Sequence, residues 1–159
     1  MLKDLDVATV SLVLAVGVTA FGAAVLLRVL RRTFVVVTVT GLSMQPAYEP
    51  GDRVIVWRGR VPAKGGEAVV EMPSIEARAW AAPAAGLGAP GVDVARSRWL
   101  IKRVVAEPGD VWAAPTGDLV EVPTEHLFLL GDNARLSFDS RHMGPFGTDR
   151  VLGSVCYRF

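Results

Sequence analysis

Ser43 stands in the stretch GLSMQPAYEPGD, residues 41–52, between a glycine and a proline. Gly41 permits positive φ or close approach of another backbone, and Pro46 stiffens the exit. A strand leading into such a turn presents a hydroxyl and its own backbone N–H together. The commoner role for a serine there is a turn hydrogen bond, so a nucleophilic role needs a base. The two histidines, His126 and His142, lie in separate segments without a ligand pattern and read as structural or solvated. No cysteine–histidine metal spacing and no phosphate loop occurs, so no metal or cofactor is expected.

Lys102, in WLIKRVV, is the candidate base. On a strand, residues two apart share a face, so Leu100 and Val104 flank Lys102 while Ile101 and Arg103 face the other way. An ordinary lysine, near pKa 10.4, is neutral in about one molecule in 2,500 at pH 7. Half neutrality at that pH costs about 4.6 kcal/mol against the ammonium. Burial among apolar neighbours supplies that much, and the neutral amine then takes the serine proton without a histidine. The competing reading is an edge lysine with its head in water.

A third block, GDNARLSFDSR, residues 131–141, gathers two acids, two serines and two arginines after an apolar strand. Asp132, Asp139 and Arg141 suit an ion-pair network that fixes a loop. Ser137 or Ser140 is placed to hydrogen-bond the lysine amine and orient it.

Elements must position these groups. Among the 159 residues, 51% are apolar, and Val7 to Leu27 carries no charge. As a helix that run extends about 30 Å, the hydrocarbon thickness of a bilayer, and reads as a transmembrane anchor. The formal net charge of +1 gives no case for nucleic-acid binding. The single cysteine, Cys156, excludes an internal disulfide; in its terminal strand pattern a buried, inert thiol is expected. Short β-branched runs broken by Gly and Pro follow the anchor, near 33–41, 51–57, 65–73, 98–112, 125–133 and 150–159, with no convincing helical periodicity. The expected fold is mostly β: a single transmembrane helix, then a compact antiparallel β-barrel or sandwich. The expected division is a tail and anchor over 1–32 and a β-rich catalytic domain over 33–159. An Ala/Gly/Pro-rich stretch at 77–94 reads as a mobile surface loop, with Trp80 a solitary exposed aromatic.

Three blocks, GLSMQP, IKRVVAEPGD and GDNARLSFDSRHMGP, with GGEAVVEMP as a weaker fourth, resemble in their order the type I signal peptidases, the membrane-bound Ser–Lys serine proteases. The resemblance implies an acyl-enzyme nucleophile at Ser43 and a general base at Lys102. It implies a lysine-orienting serine at Ser137, a supporting pair at Asp139 and Arg141, and structural partners in Asp132 and Arg103. The Ser43 backbone N–H would form part of the oxyanion hole. Gly41 departs from members that carry an assisting serine there, so a backbone donor is expected instead. Ala47 and Glu67 stand where threonine and aspartate are frequent. Leu42 and Ile101, adjacent to the catalytic pair, are expected to line small apolar pockets.

The implied partners are preprotein signal peptides, with small residues at the first and third positions before the cut, and the lipid bilayer. The implied location is the plasma membrane, with the catalytic domain outside the cytoplasm. Arg28, Arg31 and Arg32, following the anchor, favour the reverse by the positive-inside rule. Three rivals remain: a dedicated maturation peptidase for one precursor, a soluble Ser–Lys autoprotease joined to a DNA-binding repressor, and a catalytically silent membrane binding protein.

Overall fold

The computed structural model describes residues 6–72, 99–114 and 117–159. The loop expected at 77–94, with Trp80, lies outside them. The chain forms two compact units, one ending at Thr33 and the other beginning at Phe34.

The first unit is helix α1, Val7–Thr33. Before Arg28 it carries no charged side chain, and Leu12, Val18 and Phe21 are among its exposed apolar residues. The hydroxyls turn inward: Thr19 donates to the Ala15 and Val16 carbonyls, and Thr33 to Val29. Such a helix offers a bilayer no unsatisfied side-chain hydroxyl at these positions. It is long and apolar enough to cross a membrane.

The second unit is built on an antiparallel sheet. Its strands are β1 (Phe34–Thr38), β2 (Arg53–Arg58), β3 (Glu67–Glu71), β4 (Trp99–Ala106), β7 (His126–Leu130), β8 (Phe146–Gly147) and β9 (Val151–Arg158), in the order β1-β2-β9-β3-β4-β7-β8. A two-stranded ribbon, β5 (Val111–Ala113) with β6 (Leu119–Glu121), stands apart in pairing. The register slips between Ile55 and Val56, between Val69 and Val70, and between Val104 and Ala106. Bulges at such points bend strands, here into a half-barrel.

Alternation along the strands builds a core on each face of the sheet. Val54, Val56, Val69, Ile101 and Leu152 form one cluster with Met44 and Tyr48. Ala68, Val70, Val104, Leu127, Leu129, Phe146 and Val151 form the other. Strand β3 is therefore covered on both faces, which explains its unbroken Ala-Val-Val run. The ribbon is secured by Trp112 stacked on Phe128, with centroids 4.4 Å apart.

Two expectations are corrected. Residues after the anchor do include a helix, the single turn α2, Ser140–Met143. It is too short for apolar periodicity and is made by its cap: Asp139 accepts the Arg141 N–H, and His142 accepts the Asp139 N–H. Cys156 is exposed, not buried. The irregular pairing of β2 with β9 skips Cys156, which changes the alternation, and its thiol reaches the Ile55 carbonyl at 3.3 Å.

Candidate active site

The turn carrying Ser43 is closed at its base. The Val39 N–H donates to the Asp52 carbonyl and the Gly51 N–H to the Val39 carbonyl, both at 2.8 Å. Gly51 makes that closure at φ +100°, a region costly for other residues. Met44 and Tyr48 drop into the core from the same turn, and the Tyr48 N–H bonds to the Met44 carbonyl at 2.9 Å. With Met44 buried, the neighbouring Ser43 stays half-buried at the surface.

Lys102 enters from β4, opposite Ala68 of β3. It is 1% exposed, so the edge-lysine reading fails. Burial lowers its pKa to about 8; Asp139 opposes that shift, and Arg141 adds to it. About one molecule in ten is then neutral at pH 7. That is far more than for a free lysine and less than the half expected from burial alone, because a carboxylate lies close.

The link between Lys102 and that carboxylate is Ser137. Lys102 Nζ lies 2.9 Å from Ser137 Oγ, and Ser137 Oγ lies 2.5 Å from Asp139 Oδ2. Burial pushes the Asp139 carboxyl up, but the Arg141 guanidinium, the Gly131 N–H and the Ser137 hydroxyl outweigh it and hold it at about 2. An ionised carboxylate only accepts. Ser137 must therefore give its one proton to Asp139 and accept from Lys102. A neutral Lys102 then spends an N–H on Ser137 and keeps its lone pair for another proton.

Gly131 draws Ser43 to the same place. Its N–H donates to Asp139 Oδ2 at 2.9 Å. A Cβ on Gly131 would strike the Ser137 side chain and the Ser43 carbonyl oxygen together. The next contact, from the Asn133 N–H to the Ser43 carbonyl at 2.9 Å, ties the loop to the Ser43 turn. Among the described residues no hydrogen bond joins Ser43 Oγ to Lys102 Nζ. Such bonds are often loose before substrate closes the site.

The remaining candidates divide. Ser140 does not reach the lysine; its Oγ accepts the Leu129 N–H at 2.9 Å. Asp132 does not join Asp139 and Arg141. Both its oxygens take Arg103, at 2.9 and 2.8 Å, while Arg103 also reaches Glu67 and the Gly65 carbonyl. These bonds raise the Arg103 pKa above its ordinary value, Asp132 being the main cause. Glu67 thus supplies the carboxylate expected of an aspartate. Arg141 holds Asp139 from Nε and Nη2 at 2.9 and 2.5 Å.

Gly41, Ser43 and Met44 open onto a cleft of about 760 Å³, which runs along β1 to Met72 and the start of β4. Ile101 lines it, but Leu42 does not; Leu42 is 44% exposed outside it. Sequence reasoning missed Met72, Trp99 and Leu100 as cleft residues, and Asn133 as the clasp on Ser43. The first three carry only the apolar alternation of ordinary strands, and Asn133 acts through its backbone.

The model of the family described as "Signal peptidase, peptidase S26" matches residues 11–119 and 111–159. The chain is 29% identical over 150 residues to a probable signal peptidase of Synechocystis, covering 86% of this chain and 68% of that one. It is 28% identical over 153 residues to mitochondrial inner membrane protease subunit 2 of Schizosaccharomyces pombe, covering 88% and 72%. It is also 26% identical to a thylakoidal processing peptidase of Arabidopsis thaliana over 77% of this chain, but spans only 41% of that relative.

Proposed function

The chain belongs to the signal peptidase family, and from that premise we propose that it is a membrane-anchored serine endopeptidase that removes signal peptides from exported preproteins through Ser43 and Lys102. The observation that carries the pairing is the buried Lys102, held by a hydroxyl that can only accept from it.

The mechanism follows from that polarity. The Lys102 lone pair takes the Ser43 proton as Oγ attacks the scissile carbonyl. The Ser43 N–H stabilises the oxyanion, Gly41 leaving room beside it for the peptide. The lysine ammonium gives its proton to the leaving amine. Regenerated neutral lysine then activates the water that hydrolyses the acyl-enzyme. Arg141 and Asp139 fix Ser137, and Arg103 with Asp132 fixes the base of the loop.

The apolar cleft suits an extended peptide laid beside β1, which has only β2 as a neighbour among the described residues. By the family resemblance, the chain's substrates carry small residues at the first and third positions before the cut. Residues 1–32 serve as tail and anchor, and 33–159 as the catalytic domain. The catalytic unit faces away from the cytoplasm, where translocated signal peptides emerge, despite the arginines at 28, 31 and 32.

Ser43→Ala and Lys102→Ala should each abolish cleavage of a preprotein in detergent or liposomes. Substantial activity in either folded variant refutes the dyad. Protease treatment of sealed cells should digest the catalytic unit; full protection refutes its placement. A panel of unrelated preproteins should all be cut, whereas cleavage of one alone would assign a dedicated maturation role.

A further inference from the structure

Two depressions border the turn that carries Ser43. One is the apolar cleft along β1. The other, about 470 Å³, has Gln45, Pro46 and Glu49 on one wall and residues 132–135 on the opposite wall. The two walls are tied to each other beside it, where the Asn133 N–H donates to the Ser43 carbonyl.

The second depression differs in chemistry. Asp132 is neutralised by Arg103, which occupies both its oxygens. Glu49 and Arg135 are exposed; the Glu49 N–H donates to the Asp52 carboxylate, but among the described residues no ion pair or hydrogen bond engages the side chain of either. The backbone that carries Arg135 is held on both sides. Arg135 lies two residues after Asn133, which holds Ser43, and two before Ser137, which holds Lys102. The Leu136 N–H closes that loop on the Asn133 carbonyl at 3.1 Å. An uncommitted cation is thus carried by a loop whose two ends are bonded to Ser43 and Lys102.

The apolar cleft reaches Ser43 itself, and the second depression is lined by Gln45 and Pro46 of the same turn, next to where a peptide lying across Ser43 continues. Resting on the peptidase reading above, we propose that the depression seats the first residues of the mature chain and that Arg135 and Glu49 read their charge. An acidic side chain just after the cut pairs with Arg135, and a basic one with Glu49. The two charges discriminate among mature sequences that share one signal peptide.

The test uses the full chain in detergent and two peptides with the same signal segment, carrying Asp or Lys at the second position after the cut. The readout is the ratio of their kcat/KM values within each enzyme, which cancels differences in active fraction. Arg135→Glu should move the ratio toward the Lys peptide by about three- to tenfold, since an exposed attraction becomes a repulsion. Glu49→Lys should move it the opposite way. In the unmodified enzyme, the Asp/Lys ratio should drift toward one as salt rises. A ratio unmoved by both substitutions and by salt overturns the subsite. Cleavage of neither peptide by the unmodified enzyme overturns the peptidase reading, and the subsite with it.

Discussion

Ser137 accepts a hydrogen bond from Lys102 at 2.9 Å and has no proton to return, because its own goes to Asp139. The hydroxyl therefore positions the amine without consuming its lone pair. Ser137→Ala should lower kcat by about 10- to 100-fold through a misdirected base, with KM changed less than about threefold. Steady-state kinetics separates the two; a loss confined to KM would assign Ser137 to substrate binding instead.

The pH dependence follows from the lowered Lys102 pKa of about 8. In the proposed mechanism the neutral amine is the active form. Below that value kcat/KM should rise about tenfold per pH unit, and it should level off above it. A profile flat from pH 6 to 9 would remove Lys102 from the role of base.

Burying Lys102 also has a stability consequence. Its folded pKa lies below the ordinary 10.5, so the unfolded chain holds the proton more tightly. This burden on the fold is fully present below about pH 8 and disappears as pH rises toward 10.5. Lys102→Met should therefore be inactive yet more stable at pH 7, by about 1–3 kcal/mol after allowing for the lost bond to Ser137. Denaturation at pH 7 and pH 10 should show the advantage shrinking at the higher pH.

Asp139 behaves in the opposite way. Its folded pKa of about 2 lies below the ordinary 3.8, despite burial. The carboxylate stabilises the fold above about pH 4, by about 2 kcal/mol, and that contribution is lost as pH falls through 2. Asp139→Asn should flatten acid unfolding over that window. It should also cut activity, since Arg141 and Ser137 lose their shared acceptor.

Gly131 has no room for a side chain, because a Cβ would meet Ser137 and the Ser43 carbonyl. Gly131→Ala should destabilise by about 1–3 kcal/mol and lower kcat more than tenfold. Unfolding and turnover measured on the same preparation test both. Near-normal turnover would show that the loop relaxes without moving either residue.

Much of this was legible before any coordinates. The uncharged run from Val7 to Leu27 reads as a helix long enough to cross a bilayer, and it lies within one helix. Lys102 between Leu100 and Val104 reads as buried because strand side chains alternate strictly, and it is buried. Both are local rules, of composition and of period, and need no knowledge of what packs where.

What remained open depended on contacts distant in sequence. Ser137 and Ser140 are equal candidates in one loop. The capped turn at Asp139 sends one to Lys102 and the other to the Leu129 N–H. Asp132 and Asp139 are likewise alike until Arg103 claims the first and Arg141 the second. The exposure of Cys156 hangs on one irregularity between β2 and β9. The sequence by itself determined the long apolar helix, the β class and the chemical types of the site. Only the tertiary structure decided which loop side chain faces the lysine, because direction in a loop is set by the partners it meets and not by any repeat along the chain.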